Sequence, residues 1–184
     1  MVMFTEFYHA QLFTSDEINK ILNHMEEPTD TSYPVYMDGK YNDVGCKMQS
    51  SDLKWNSNID WFFIKLSNWI NTLNTGIKLV SPPHAVFRKY VVGDFFIKHT
   101  DQPPSPNPKR YMSVCIQLSN ESEYEGGDVY VYAKDNKEHI SKKVGYTYGF
   151  GIKVPHEVTP ITKGTRKSLT IFISENHIKR TSLL

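Results

Sequence analysis

The feature that most constrains the fold of this chain is a series of short, strand-like segments that fills the sequence after Gly76. The segments are rich in β-branched and aromatic residues, and Gly, Pro, Asn and Asp separate them. They read IKLV, HAVFRKYVV, DFFIKHTD, RYMSVCIQLS, GDVYVYA, HISKK, GYTYGF, HEVTPI and RKSLTIFIS. Many short strands in close succession are typical of a β-sandwich or a β-barrel. The sequence therefore predicts a mainly β fold for this part of the chain.

Two helices are predicted before the β region. Residues 14–17 have the form of a capping box, and the apolar residues that follow lie at helical spacing, which predicts a helix over about 15–26. A second apolar stripe covers residues 59–73. We expect this helix to be capped at 56–58 and to stop near 74–76. Loop with short strands is expected between the two helices.

Length and charge limit the possible classes of protein. A chain of 184 residues fits one domain, and we predict a single domain over 1–184. Within it, residues of about 1–76 form a helical N-terminal support, and residues of about 77–176 form the strand core. The 21 Lys and Arg residues balance 20 Asp and Glu residues, so the net charge is +1. Nucleic acid is therefore not expected as a partner, because its phosphates need a basic surface.

The termini, apolar segments and cysteines predict a cytoplasmic location. The N-terminal residues lack the basic and apolar regions of a signal peptide, and no apolar stretch approaches the ~20 residues that cross a membrane. Cys46 and Cys115 fit no zinc or redox spacing, so we interpret them as reduced thiols. We expect no membrane association.

His99 and Asp101 form the first candidate site. They lie two residues apart in the predicted strand DFFIKHTD, and side chains at this spacing in a strand point to the same face. A neutral imidazole beside a carboxylate provides half of a metal site. This short pattern often arises by chance, so taken alone it favours a structural or surface role.

His156 offers the other half of a metal site. It follows Pro155, which restricts the backbone, and it begins the segment HEVTPITKGTRKS. Two histidines and one carboxylate on one side of a metal, with vacant positions opposite, are typical of non-haem iron(II) oxygenases. A structural zinc site would need a fourth protein ligand, and Cys115 is not at a recognisable spacing to provide it.

Arg166 and Ser168 form a candidate anion site. They share one face of a predicted strand, whereas Lys167 points to the other face. A guanidinium can form two parallel hydrogen bonds to a carboxylate, and a hydroxyl can add a third. This is the chemistry that would hold the distal carboxylate of 2-oxoglutarate, although an isolated arginine is more often a surface residue.

Taken together, the segments YVVGDFFIKHTD, RYMSVCIQLSNESEYEGGDVYVY and HEVTPITKGTRKSLTIFI resemble the prolyl-4-hydroxylase-like branch of the 2-oxoglutarate- and iron(II)-dependent oxygenases. The resemblance covers residues of about 85–175. It implies a double-stranded β-helix, or jelly roll, with N-terminal helices on one face and iron at the open mouth.

The resemblance also implies roles for individual residues. His99, Asp101 and His156 are expected to be the catalytic iron ligands, and Arg166 is expected to bind the cosubstrate. Tyr90 matches the tyrosine of the family's Y-x-x-G stretch, which lines the cosubstrate pocket. The implied cofactors are Fe(II) and 2-oxoglutarate, and ascorbate is a further candidate because some members bind it.

Three positions depart from common family patterns. Phe96 lies three residues before His99, where many members have tyrosine, and Lys98 lies where one subgroup has an aromatic residue. Ile116 stands where some relatives place a tyrosine on the cosubstrate. These differences leave the predicted iron site intact but prevent transfer of a substrate from one subgroup.

The predicted activity is hydroxylation of a substrate C–H bond with release of succinate and CO2. A peptidyl prolyl or other protein residue is the first candidate substrate, and a free amino acid or other small metabolite is the alternative. Two hypotheses of another class are a zinc or cupin-like jelly-roll enzyme and a non-catalytic metal-binding module. We also predict that the Pro-rich loop 102–109 forms part of the rim or lid of the site, because it directly follows Asp101. The sequence predicts no oligomeric state.

Overall fold

The computed structural model describes residues 7–31, 35–37, 40–42, 45–73, 75–102, 109–134 and 136–180. The helices in this part of the chain are α1 (Ser15–Leu22) and α2 (Asp60–Thr72). The strands are β1 (Phe7–Gln11), β2 (Thr29–Thr31), β3 (Val35–Met37), β4 (Lys40–Asn42), β5 (Cys46–Asp52), β6 (Ile77–Leu79), β7 (His84–Tyr90), β8 (Phe95–His99), β9 (Arg110–Gln117), β10 (Tyr124–Gly126), β11 (Val129–Ala133), β12 (Asn136–His139), β13 (Tyr146–Gly151), β14 (His156–Val158), β15 (Ile161–Gly164), β16 (Arg166–Ser174) and β17 (Ile178–Arg180). Neither of these helices is long and apolar enough to cross a membrane.

Helix α1 begins as predicted and ends early. The Thr14 side chain accepts a hydrogen bond from the Glu17 backbone N–H, and the Glu17 carboxylate accepts one from the Thr14 N–H, which completes the capping box. The α-helix stops at Leu22, four residues before the predicted end. The next amides, those of His24 and Met25, bond to carbonyls three residues back, so the chain leaves the helix through tighter turns.

Helix α2 lies close to its predicted position. Asn56 caps a short 3-10 turn at Ser57–Ile59, and the α-helix follows directly from Asp60 to Thr72. Its apolar side packs on the outer surface of the sheet, where Phe62, Leu66 and Ile70 are fully buried. The helix therefore supports the sheet from outside and does not reach the inner cavity.

The main sheet is antiparallel and runs in the order β1-β13-β9-β16-β7-β5-β8-β14-β11-β12, with β2 paired to β5. Strand β5 bends the sheet, because residues 49–52 pair with β7 whereas residues 46 and 47 pair with β8. Two groups of strands therefore face each other across an inner cluster of buried side chains.

The N-terminal region contributes strands as well as helices. Strand β1 pairs with β13 over five consecutive residues, from Phe7 opposite Phe150 to Gln11 opposite Tyr146, and this edge strand was not predicted. The larger apolar cluster lies between α1, α2 and the outer side of β7, β9 and β16. The prediction of a mainly β fold with N-terminal helices is confirmed.

Candidate metal centre

Strand pairing brings the two candidate histidines together. His99 at the end of β8 lies directly opposite His156 at the start of β14, and their ring centroids are 4.2 Å apart. Asp101 follows β8 by two residues, beyond the regular strand, yet its carboxylate turns to the same side. Its Oδ1 lies 3.6 Å from His99 Nε2 and 3.7 Å from His156 Nε2. One potential ligand atom from each residue thus falls within a cluster less than 4.8 Å across.

Backbone carbonyls orient both rings. His99 Nδ1 lies 2.7 Å from the carbonyl oxygen of Ile97, and His156 Nδ1 lies 3.1 Å from that of Val154. A ring whose Nδ1–H donates to a carbonyl keeps its Nε2 lone pair for a metal. The Ser113 hydroxyl donates to Asp101 Oδ2 at 2.5 Å, which leaves Oδ1 on the side of the histidines.

Burial and neighbouring charges set the protonation of the cluster. Burial lowers the pKa of His156 to about 4, and the nearby charge of His99 acts in the same direction. Burial alone would raise the pKa of Asp101, but the charge of His156 and hydrogen bonds from His99 and Ser113 outweigh it and lower the pKa. At neutral pH His156 is neutral and Asp101 is charged, which are the forms that bind a divalent cation.

Aromatic rings enclose the two histidines. Phe96 stacks on His99 with centroids 3.6 Å apart and an interplanar angle of 8°. Phe150 lies against His156 with centroids 4.4 Å apart. Phe96, where many family members have tyrosine, therefore supplies an apolar wall that fixes the His99 ring without a hydroxyl.

Arg166 lies at the start of β16 and is only 1% exposed. Its Nη2 donates to Gln117 Oε1 at 2.9 Å, and its Nη1 donates to Ser168 Oγ at 3.3 Å. Its Nε has no hydrogen-bond partner among the described residues, and no carboxylate in that part of the chain forms an ion pair with it. A buried guanidinium held only by neutral groups is suited to a carboxylate ligand.

All six predicted site residues line one cavity. Tyr90 lies opposite Arg166 in the β7–β16 ladder, and its ring centroid is 5.2 Å from the guanidinium carbon. Residues that line the cavity include Tyr90, His99, Asp101, His156, Arg166 and Ser168. The predicted metal group and the predicted anion group are therefore two ends of a single site.

Comparison with known proteins agrees with this geometry. The family model of the 2OG-Fe(II) oxygenase superfamily matches residues 85–174, a span that contains all six residues. Over this span, slightly less than half of the chain, the sequence is similar to this superfamily. A PKHD-type hydroxylase from Pseudoalteromonas atlantica is 24% identical to it over 156 residues, which are 75% of this chain and 66% of that protein. The chain thus spans slightly less than two thirds of the length of that relative.

Solved structures show the same fold. A Pseudomonas putida prolyl-4-hydroxylase matches with a TM-score of 0.67 at 17% identity, over 96% of this chain and 93% of that one. A prolyl hydroxylase from Trichoplax adhaerens, in complex with a hypoxia inducible factor peptide fragment, matches with a TM-score of 0.69 at 14% identity, over 92% and 84% of the two chains. The predicted jelly roll is thereby confirmed.

The site residues fit the cofactors that this superfamily implies. Two imidazoles and one carboxylate are the donor set of a non-haem iron(II) centre, and among the described residues the cluster includes no cysteine. The orphaned Arg166 Nε suits the carboxylate of 2-oxoglutarate. The cavity itself has a volume of about 30 Å³, roughly that of one or two water molecules. A cosubstrate therefore requires side chains to shift, and among the described residues Gln117 and Ser168 have side chains that accept hydrogen bonds from Arg166.

Three polar residues near the cavity were not predicted. Ser113 orients Asp101, Gln117 accepts a hydrogen bond from Arg166, and Arg88 lines the cavity beside Tyr90. The alternation of side chains along a strand could have predicted them. Ser113 and Gln117 share a face of β9, and Arg88 shares a face of β7 with Tyr90. To use this alternation, one residue of each strand must first be known to face the cavity.

The interpretation of Ile116 changes with the structure. Ile116 is fully buried in the apolar cluster under the helices, so it faces away from the cavity. The side chain of β9 that reaches Arg166 belongs to the next residue, Gln117. Of the Pro-rich loop 102–109, residues 103–108 lie outside the described residues.

Proposed function

We propose that this chain is an Fe(II)- and 2-oxoglutarate-dependent dioxygenase that hydroxylates a substrate C–H bond, with release of succinate and CO2. The observation that carries the proposal is the convergence of two opposed features in one cavity. A cluster of two imidazoles and a carboxylate lies at one end, and a buried arginine with no acidic partner among the described residues lies at the other. A zinc or cupin-like enzyme has no need of the second feature.

The metal would be held by His99 Nε2, Asp101 Oδ1 and His156 Nε2. Iron bound there would activate oxygen in a reaction coupled to the oxidation of 2-oxoglutarate. Side chains alone do not provide this chemistry. The three residues bind it on one side, and the carbonyls of Ile97 and Val154 hold the histidine Nδ1 protons away from it. The stacked ring of Phe96 limits access of water to His99.

Arg166 would bind the distal carboxylate of the cosubstrate, with Ser168 adding a hydroxyl contact. The guanidinium would offer its unpartnered Nε to this carboxylate, and exchange of the neutral acceptor Gln117 Oε1 for a carboxylate oxygen would give a stronger, charge-assisted bond. Tyr90, which is 2% exposed, forms the wall beside this anchor. Ascorbate would serve as a reductant of the iron, and the proposal assigns no residue to its binding.

The first candidate substrate is a peptidyl prolyl or other protein residue. The support is the fold shared with prolyl hydroxylases, one of which was solved with a bound peptide fragment. A free amino acid or small metabolite on the same scaffold is the second candidate. A cytoplasmic location is part of the proposal, and the two buried free cysteines are compatible with a reducing compartment.

The test is 2-oxoglutarate turnover with Fe(II), measured as succinate release in the presence of peptides and free amino acids. We expect succinate that requires both iron and 2-oxoglutarate and that rises with one of these substrates. His99→Ala should abolish it, whereas Lys98→Ala, one residue away on an exposed side of the strand, should retain it. Metal binding without any 2-oxoglutarate binding or turnover would favour the non-catalytic module instead.

A further inference from the structure

A second buried guanidinium lies in the same cavity as the metal cluster and Arg166. Arg88 is 9% exposed, lies two residues before Tyr90 on β7, and lines the cavity. Neither the metal cluster nor the anchor proposed above uses it. A buried arginine is costly unless a ligand or a partner compensates its charge, so its neighbours decide what it does.

The neighbours of Arg88 compensate it only weakly. Its Nε donates to Thr170 Oγ1 at 3.2 Å, and its Nη1 donates to Met48 Sδ at 3.0 Å. A thioether sulfur is a weak acceptor. The guanidinium carbon also lies 5.6 Å from the centroid of the Phe96 ring, the same ring that stacks on His99. Within the described parts of the chain, no Asp or Glu forms an ion pair with Arg88.

The charges in the cavity are therefore unbalanced. Among the described residues that line it, two guanidinium groups face a single carboxylate, that of Asp101, which lies in the metal cluster. A divalent cation in the cluster would increase the excess of positive charge. In a buried site of low polarity such an excess strongly favours anionic ligands. One carboxylate on Arg166 does not remove it.

Strand register places Arg88 between the anchor and the metal cluster. Arg166 contacts the hydroxyl of Ser168, and Arg88 contacts that of Thr170, two residues or roughly 7 Å further along β16. Two residues further in the same direction, Phe172 of β16 pairs with Ser113, whose hydroxyl donates to Asp101. The order along the cavity is anchor, Arg88, metal cluster.

We propose that Arg88 binds the second carboxylate of 2-oxoglutarate, the one next to the keto group. Arg166 and Arg88 then hold the two ends of the cosubstrate, and Arg88 orients the end that faces the metal. The proposal rests on the proposed function. It assigns Arg88 a binding role distinct from that of Arg166, because the two arginines contact different carboxylates of one ligand.

The proposal predicts a difference between two probes in anaerobic binding titrations of the Fe(II)-loaded protein. The first probe is 2-oxoglutarate, and the second is 2-oxobutyrate, which keeps the 2-oxo acid group but lacks the distal carboxylate. Arg88→Met should weaken binding of both probes by about tenfold or more, the usual size of a lost charge-assisted hydrogen bond. Arg166→Met should weaken 2-oxoglutarate strongly and affect 2-oxobutyrate far less. Binding can be followed by charge-transfer absorbance or calorimetry, without turnover.

Controls keep the outcome interpretable. Lys89→Met changes the neighbouring cation on the opposite face of β7 and should leave both affinities unchanged. Arg88→Lys, which keeps the charge but not the planar donors, should lose less affinity than Arg88→Met, and thermal melting shows whether each variant is folded. If folded Arg88→Met binds both probes as tightly as the wild type, the proposal is wrong. If the wild type itself binds no 2-oxoglutarate, the proposed function fails instead.

Discussion

The two ends of the cavity are held in different ways. At the metal end, backbone carbonyls fix both histidines, Ser113 fixes Asp101, and the facing rings of His99 and His156 are set by strand pairing. At the anchor end, the guanidinium of Arg166 is bonded to two neutral side chains and keeps one nitrogen without a partner among the described residues.

The metal end is therefore preorganised for its ligand, whereas the anchor end has hydrogen-bond partners that a ligand would replace. The metal end needs no rearrangement to present three ligand atoms to a cation, because main-chain carbonyls hold the two histidines and the Ser113 hydroxyl holds Asp101. At the anchor end, a charged ligand would compete with neutral partners, and in so small a cavity it would need side chains to shift. Metal binding and cosubstrate binding should therefore respond separately to mutation.

Loss of a metal ligand should have the largest effect. Replacing Asp101 with Ala removes the one carboxylate from the cluster, so we expect Fe(II) affinity to fall by more than about 100-fold and succinate production to disappear. Equilibrium binding of Fe(II) or Co(II) measures the first effect. Glu157→Ala is the matched control, because it removes a carboxylate of β14 that lies outside the cluster and accepts a hydrogen bond from Tyr132. Metal affinity retained in Asp101→Ala would contradict the ligand assignment.

Loss of the anchor should come next and should spare the metal. Arg166→Met removes a buried charge partner of the cosubstrate, a change that can cost ~3–5 kcal/mol, or on the order of 100-fold or more in 2-oxoglutarate affinity. Metal affinity should stay within about twofold, because the metal end is held by the carbonyls of Ile97 and Val154 and by Ser113, none of which contacts Arg166. Lys167→Met, one residue along on the other face of β16, should change neither. Equal losses of metal and 2-oxoglutarate affinity would mean that the two ends are not independent.

Removing the support of the metal ligand should have an intermediate effect. Ser113→Ala deletes the hydroxyl that donates to Asp101 Oδ2, so the carboxylate loses its fixed orientation. We expect metal affinity to fall by about tenfold, with 2-oxoglutarate affinity unchanged once metal is saturating. Ser122→Ala, an exposed serine, is the control. An unchanged metal affinity in Ser113→Ala would show that the cluster does not depend on this bond.

The smallest effect concerns stability of the metal-free protein at mildly acid pH. The pKa of His156 is lowered from 6.5 to about 4 in the folded state, so between these pH values the unfolded chain binds a proton that the folded chain does not. The free energy of unfolding should therefore fall as pH falls from about 6.5 toward 4, by about 1 kcal/mol per pH unit from this group.

Urea unfolding at several pH values, with a chelator present, measures this dependence. His156→Gln removes the titrating group and should show a shallower loss of stability over the same range. An identical pH dependence in the two proteins would mean that His156 is not held neutral by the fold.

Some features of the site and fold follow from local sequence. The cap at residues 14–17, the stripe of α2 and the shared face of Arg166 and Ser168 all depend on short-range periods. Other features depend on distant pairing. Strand β1 has little pattern of its own and is a strand because it pairs with β13. Helix α1 ended before its predicted limit because backbone turns replaced the last helical bonds.

The sequence by itself determined which side chains share a face, because alternation along a strand is a local property. Tertiary structure decided which face looks inward and which strands meet. It placed His156 opposite His99, turned Ile116 outward and Gln117 toward Arg166, and brought Arg88 into the cavity. These choices come from long-range register and burial, where a shift of one residue exchanges every inward side chain for its neighbour.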